Sequence, residues 1–236
     1  MFPKFLFPAL ACLALSSCGI VDYSELKEGE FTGSLFVMWV GEGSSSGGDG
    51  KFVYVPSKAK PLTFTRKATD GTIRTIKPEL MYTDGGSIPK GGQLFKGFSP
   101  WGYAPAYMVH DWIFVARHCL NDDRPEPSHK PYADMTFQES ANIIGEAIKT
   151  LIDSGNVDEN QVAPRIIAGV VAGPISYDRW IAKNECLGER VTPQHKAEVD
   201  AFLARKQGDF SPRFDKAVDG RTRRTPPATF VAEISF

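Results

Sequence analysis

The chain has 236 residues, with 27 Lys plus Arg against 28 Asp plus Glu and a hydrophobic content of 42%. Its formal net charge of −1 supplies no electrostatic footprint for nucleic acid, which excludes that class of partner from the expectations. The length suits one good core with appendages, and beyond the N-terminus the most apolar stretch, residues 166–175, is too short to span a bilayer and contains Pro174.

At the start, Lys4 precedes an apolar run over residues 5–15 that closes on Leu15-Ser16-Ser17-Cys18. A basic start, a short apolar core and small residues at its end are the layout of a secretory signal. Small residues followed at once by Cys resemble the lipobox of bacterial lipoproteins. That resemblance implies a signal peptide over residues 1–17, with Cys18 acylated, palmitate among its chains, as the new N-terminus. Two or three acyl chains, each buried CH₂ contributing roughly 0.8 kcal/mol, make such an attachment effectively permanent. Gly19 follows the Cys where Asp would suggest inner-membrane retention, so the expected location is the inner leaflet of an outer membrane, facing the periplasm.

Residues 18–30 are expected to form a polar, lipidated tether that lifts a domain of residues 31–207 off the membrane. Residues 31–40 (FTGSLFVMWV) are rich in β-branched and aromatic types and predict a strand. Residues 41–50 (GEGSSSGGDG) predict a flexible loop. Strands are expected at 51–55, 61–67 and 72–77, the last two joined by an Asp70-Gly71 hairpin turn.

The middle reads as helical. Residues 104–119 place Pro105 in the first turn, where its missing N–H costs nothing. Residues 136–152 open with Thr136-Phe137-Gln138-Glu139, a capping box, and Gly155 lies just past the end. Residues 161–184 predict a helix bent at Gly173-Pro174. Residues 191–207 predict an exposed helix with helical apolar spacing at Val199, Phe202 and Leu203. Residues 208–236 read as charged coil, then a terminal strand from 229 that either returns to the sheet or stays at a loose edge. The fold class is therefore α+β, with an N-terminal antiparallel β-sheet packed on a C-terminal helical half in a single domain. Of the four cysteines, Cys12 leaves with the signal and Cys18 takes the lipid. Cys119 and Cys186 remain in an oxidising compartment, either as a disulfide or as two buried thiols.

The chemistry concentrates between Tyr82 and Phe114. From Ala104 to Ala116 every residue is apolar, aromatic or Pro except His110 and Asp111. A helix apolar nearly all round is buried, and buried ionisable groups need partners. Successive helical side chains point about 100° apart, so these two must each find a partner elsewhere. The upstream run Thr83-Asp84-Gly85-Gly86-Ser87-Ile88-Pro89 supplies a carboxylate, a hydroxyl and two glycines whose backbone can approach a ligand closely. One reading makes His110, Asp111 and Asp84 a catalytic cluster with Gly85, Gly86 and Ser87 binding beside it. The other makes the same cluster a brace, Asp84 bonding His110 and Asp111 holding a loop amide. Zinc is disfavoured: His110 and His118 stand at i, i+8, poor spacing for one metal, with His129 the other histidine nearby.

The loop Thr83-Asp84-Gly85-Gly86-Ser87-Ile88-Pro89, followed by His110-Asp111-Trp112-Ile113-Phe114, resembles the family called domain of unknown function 1353, found in bacteria and their phages. The resemblance covers roughly residues 50–152. This chain carries Gly86 where that family's pattern has Ala, Phe114 where it has Tyr, and Asn142 where it has Asp. The order of a Gly-rich loop, a His-Asp helix and a second helix with a polar residue is also similar to secreted phospholipases A2. That likeness implies His110 as general base, Asp111 with the Gly85 and Gly86 backbone holding a divalent cation such as calcium, and Asn142 orienting the ring. The expected function is a membrane-anchored envelope lipoprotein acting as a non-catalytic binding module for an envelope partner. The alternative is an envelope hydrolase acting on a lipid or cell-wall ester or amide.

Overall fold

In the computed structural model, which describes residues 21–41, 51–83, 103–157, 163–206 and 229–236, the apolar run at 31–40 divides at Gly33. That residue has φ +90°, and a side chain on it would begin 2.1 Å from the Pro61 carbonyl oxygen. Only glycine fits there. The break yields two strands, β1 (Glu30–Thr32) and β2 (Ser34–Gly41), which join different sheets. β3 (Lys51–Pro56), β4 (Thr63–Lys67), β5 (Ile73–Ile76), β6 (Met81–Thr83) and β7 (Thr229–Ser235) complete the β structure. One sheet has the order β1-β4-β5 and the other β6-β3-β2-β7, with antiparallel pairing throughout. The terminal strand thus returns to the sheet, against β2. The expected Asp70-Gly71 turn is present: Gly71 has φ +86°, and Asp70 Oδ1 accepts from Thr72 N at 2.9 Å and from its hydroxyl at 2.7 Å.

The helices are α1 (Ala104–Asn121), α2 (Phe137–Asp153), α3 (Ala163–Val171), α4 (Pro174–Trp180), α5 (Cys186–Glu189) and α6 (Pro193–Lys206). The Thr136 hydroxyl caps α2 by accepting from Glu139 N at 3.1 Å. The expected bend at Gly173-Pro174 is a full break between α3 and α4, because Pro174 has no N–H to continue the ladder.

The β2 and β3 sequences look uniformly apolar because the four-stranded sheet is covered on both sides. Leu35, Val37, Phe52 and Tyr54 point into the main core with α1 and α2. Phe36, Met38, Val53 and Val55 point the other way, into a second core with Val199 and Phe202 of α6. The expected exposure of α6 is therefore corrected: its apolar stripe, Val199 at 2% and Phe202 at 8% exposure, covers the sheet's second face.

The expected tether is corrected as well. From Val21 onward the segment packs on the body. Leu26 is buried, Gly29 N–H donates to Thr150 Oγ1 at 2.8 Å, and Lys149 Nζ donates to the Leu26 carbonyl at 2.6 Å. The reason lies on α2, where the missing side chain of Gly145 leaves the groove that Leu26 fills: a Cβ there would meet Leu26 Cδ1 at 2.3 Å.

Cys119, near the end of α1, and Cys186, at the start of α5, form a disulfide across 67 residues. Around it, Asn121 Nδ2 donates to the Trp180 carbonyl at 2.9 Å. The Asp122 carboxylate accepts from Asn184 N at 2.6 Å and Cys186 N at 3.0 Å. The polar run after α1 is thus a clasp for the segment after α4.

Candidate functional site

His110 and Asp111 lie in the middle of α1 and, as their angular separation requires, face different surroundings. Asp111 is half-buried and accepts from the Thr83 hydroxyl of β6 at 2.8 Å. His110 is 8% exposed, with the Phe114 ring 4.8 Å away. Burial, with the charge of Arg179 adding to it, pushes the imidazole pKa down to about 3. The ring is neutral at any physiological pH, and among the described residues Nε2 is buried with no hydrogen-bond partner.

That nitrogen is one of a series. The buried hydroxyls of Tyr103 and Tyr107 are also without partners among the described residues, and these residues precede His110 at the i, i+4, i+7 spacing that lines one helix face. Burial raises the pKa of both phenols, so all three groups are neutral. Each unpaired buried polar atom costs about 1–3 kcal/mol, and the Tyr54 hydroxyl in the same core is another among the described residues.

Of the other expected site residues, Asn142 on α2 accepts from Gln138 Nε2 at 2.9 Å, one turn earlier on its own helix. Asp84, Gly85, Gly86 and Ser87 lie outside the described residues. Among the described residues no three His, Cys, Asp or Glu side chains gather where a metal ion could be held. His118 is committed elsewhere, with Nδ1 2.7 Å from Glu189 Oε1 and Nε2 2.7 Å from the Arg179 carbonyl oxygen. Only an imidazolium donates from both nitrogens. Burial alone would lower its pKa, but Glu189 and the Arg179 carbonyl hold it above the ordinary histidine value. His129 Nδ1 accepts from Glu126 N at 3.1 Å.

Two polar clusters escaped the sequence reading. Tyr82 alternates with Thr83 on β6 and so faces the opposite side, toward α6. Its hydroxyl lies 2.7 Å from His195 Nδ1 and accepts from Thr192 N at 3.0 Å, while Lys51 Nζ sits 3.6 Å above its ring. The second is a charge ladder, buried at its Arg66 end, that runs from β4 and β5 to α2 and the turn before it. The Arg66 guanidinium grips Glu146 with two nitrogens, Nη2 to Oε1 at 2.9 Å, and reaches Glu139 at 2.9 Å. Arg74 then joins Glu139 at 3.3 Å to Asp134 at 2.9 Å. The signal was available: Phe64 and Arg66 share one face of a strand, so the charge had to point inward with Phe64. Glu139 and Glu146 sit seven residues apart on the facing helix.

A scan against protein-family models, a search of curated proteins and a search of solved structures each returned no match.

Proposed function

We propose that the chain is an exported, lipid-anchored envelope protein, and that its body is a non-catalytic module that binds an envelope partner. The observation that carries the non-catalytic reading is the state of His110. A general base works best with a pKa near the operating pH. Burial and Arg179 hold this imidazole at about 3, where it is a weak proton acceptor. Asp111, tied to Thr83 at 2.8 Å, is read as a brace between α1 and β6, which supports a packing role for both residues. Export is supported separately by the Cys119–Cys186 disulfide, since structural disulfides persist in oxidising compartments. The signal-like start and Cys18 support the anchor, and Gly19 beside that cysteine supports placement at the outer membrane facing the periplasm.

The test compares His110→Ala with the parent protein. A brace predicts a loss of about 2–4 kcal/mol in urea unfolding, as for truncation of a buried, well-packed side chain. Retained stability together with loss of an ester- or amide-cleaving activity in the parent would overturn the reading.

A second reading has its own observation. The Tyr103, Tyr107 and His110 groups, unpaired among the described residues, form a buried polar stripe of the kind that a substrate's polar atoms would satisfy. Under it, the chain is an envelope hydrolase with His110 and Asp111 at its centre and a cation such as calcium as cofactor. Calcium titration separates the two: a rise in melting temperature with calcium that Asp111→Asn abolishes favours the hydrolase, and no response favours the module.

A further inference from the structure

The clasp around the Cys119–Cys186 disulfide borders a cleft of about 270 Å³. Asp122, Asp123 and Arg124, at the end of α1, form one wall, and Lys183, Asn184 and Leu187 form the other. Three sets of links fix the walls to each other. The disulfide joins α1 to α5, Asn121 Nδ2 donates to the Trp180 and Ala182 carbonyls, and the Asp122 carboxylate accepts from Asn184 N and Cys186 N. Those two amides lower the Asp122 pKa, and the charge of Arg124 adds to the effect, so this carboxylate is committed to the clasp. Asp123, Arg124 and Lys183 are different. Among the described residues none of the three has an ion pair, although all line one small cleft. Stapled walls hold these opposite charges apart, and charges already held in place cost little to order when a ligand arrives.

We propose that this cleft binds a small zwitterionic amino compound, of amino-acid or dipeptide size, with its carboxylate at Arg124 and Lys183 and its ammonium at Asp123. The mixed charge of the lining selects this class. A bare anion meets the carboxylates of Asp122 and Asp123, and a bare cation meets Arg124 and Lys183. A molecule carrying both charges meets its complement at each end. Arginine presents a planar fork suited to a carboxylate, and lysine adds a point charge beside it. Leu187, 60% exposed, offers an apolar wall to an aliphatic side chain. The volume lies just below the usual range for ligand pockets, which matches a molecule of this size. This site is independent of the lipid anchor and of the roles given to His110 and Asp111.

The test is calorimetric titration of the full chain, disulfide intact and at low salt, with leucine and with alanyl-leucine as probes. The tighter of the two fixes the size of the ligand. The expected result is saturable binding that weakens about tenfold, one charge-assisted contact's worth, when either charge of the probe is removed. Its N-acetylated form lacks the ammonium, and its C-terminal amide lacks the carboxylate. Arg124→Gln and Lys183→Gln should each weaken the unmodified probe by a similar factor. Asp123→Asn should weaken it too, while leaving the N-acetylated form unchanged. All three side chains are exposed, so the variants keep the fold. Lys58→Gln, at an exposed lysine between β3 and β4, is the control and should bind like the parent. No saturable binding of either probe overturns the proposal. Equal affinity for the N-acetylated form overturns the zwitterionic class. Binding undiminished by Arg124→Gln and Lys183→Gln overturns the site.

Discussion

Arg66 on β4 and Glu146 on α2 form a two-pronged ion pair in which the arginine is 3% and the glutamate 9% exposed at the side chain. Burial alone would lower the guanidinium pKa, yet Glu146 and Glu139 hold it above its usual value. The pair fastens the three-stranded sheet to the helical half. Desolvating two ions offsets much of their attraction, so the pair as a whole contributes little net stability, while breaking it leaves a charge stranded. Arg66→Met should cost about 3–5 kcal/mol. Adding Glu146→Leu should recover most of that loss, because it removes the stranded carboxylate. Urea unfolding of the two variants checks this, and equal stabilities would contradict it.

The disulfide gives a second expectation. It closes a loop of 67 residues, for which chain-entropy reasoning gives roughly 4 kcal/mol. Cys119→Ala with Cys186→Ala should lower the melting temperature markedly, and reducing agent should lower that of the parent but not of the variant. Because α5 carries Glu189, the same variant should also weaken the His118 ion pair.

His110 and His118 lie on one helix and should respond to pH with opposite signs. His110 has its pKa depressed to about 3, so the unfolded chain binds a proton near pH 6.5 that the folded chain refuses. Stability must fall as pH drops below about 6.5 and continue falling toward about 3. His118 has its pKa raised. Its contribution is fully present below about 6.5 and is lost as pH rises through the folded value. Hence His110→Gln should flatten the acid limb of a stability–pH profile measured by urea unfolding. His118→Gln should cost most at mildly acidic pH and progressively less above neutrality.

Gly145→Val tests how the N-terminal segment is held. Its side chain would collide with Leu26, and overpacking of this sort costs about 1–3 kcal/mol. The release should be local. Limited trypsin digestion should cut after Lys27 in the variant well before it does so in the parent, with the rest of the body resistant.

Much of this architecture was legible because the period of the apolar residues announced it. The α2 cap at Thr136, the Pro105 start of α1 and the Asp70-Gly71 turn are local chemistry, and local chemistry is readable. What failed was long-range. Whether Val199 and Phe202 face water or a sheet depends on whether that sheet's far side is bare, which residues 191–207 alone do not reveal. The packing of residues 21–29 depends on a glycine more than a hundred positions away. For the candidate site, the sequence identified His110 and Asp111 as misfits in an apolar helix, and both are buried or half-buried. It did not find Tyr103 and Tyr107 as companions of His110, since aromatic residues in a core helix look ordinary until their hydroxyls are seen without partners. It passed over Arg66 because strand alternation was read for the apolar residues and not for the charge among them.

Strand β2 lies between β3 and β7, and Ser34 pairs with Ser235. One neighbour of β2 is therefore synthesised on the order of ten to forty seconds after it, at ordinary translation rates. Through that interval β2 has an open edge, and the long loop joining the two strands must close before their pairing gives any return. In a nascent chain of this topology the four-stranded sheet stays one strand short, with β2 open at one edge, until β7 has emerged.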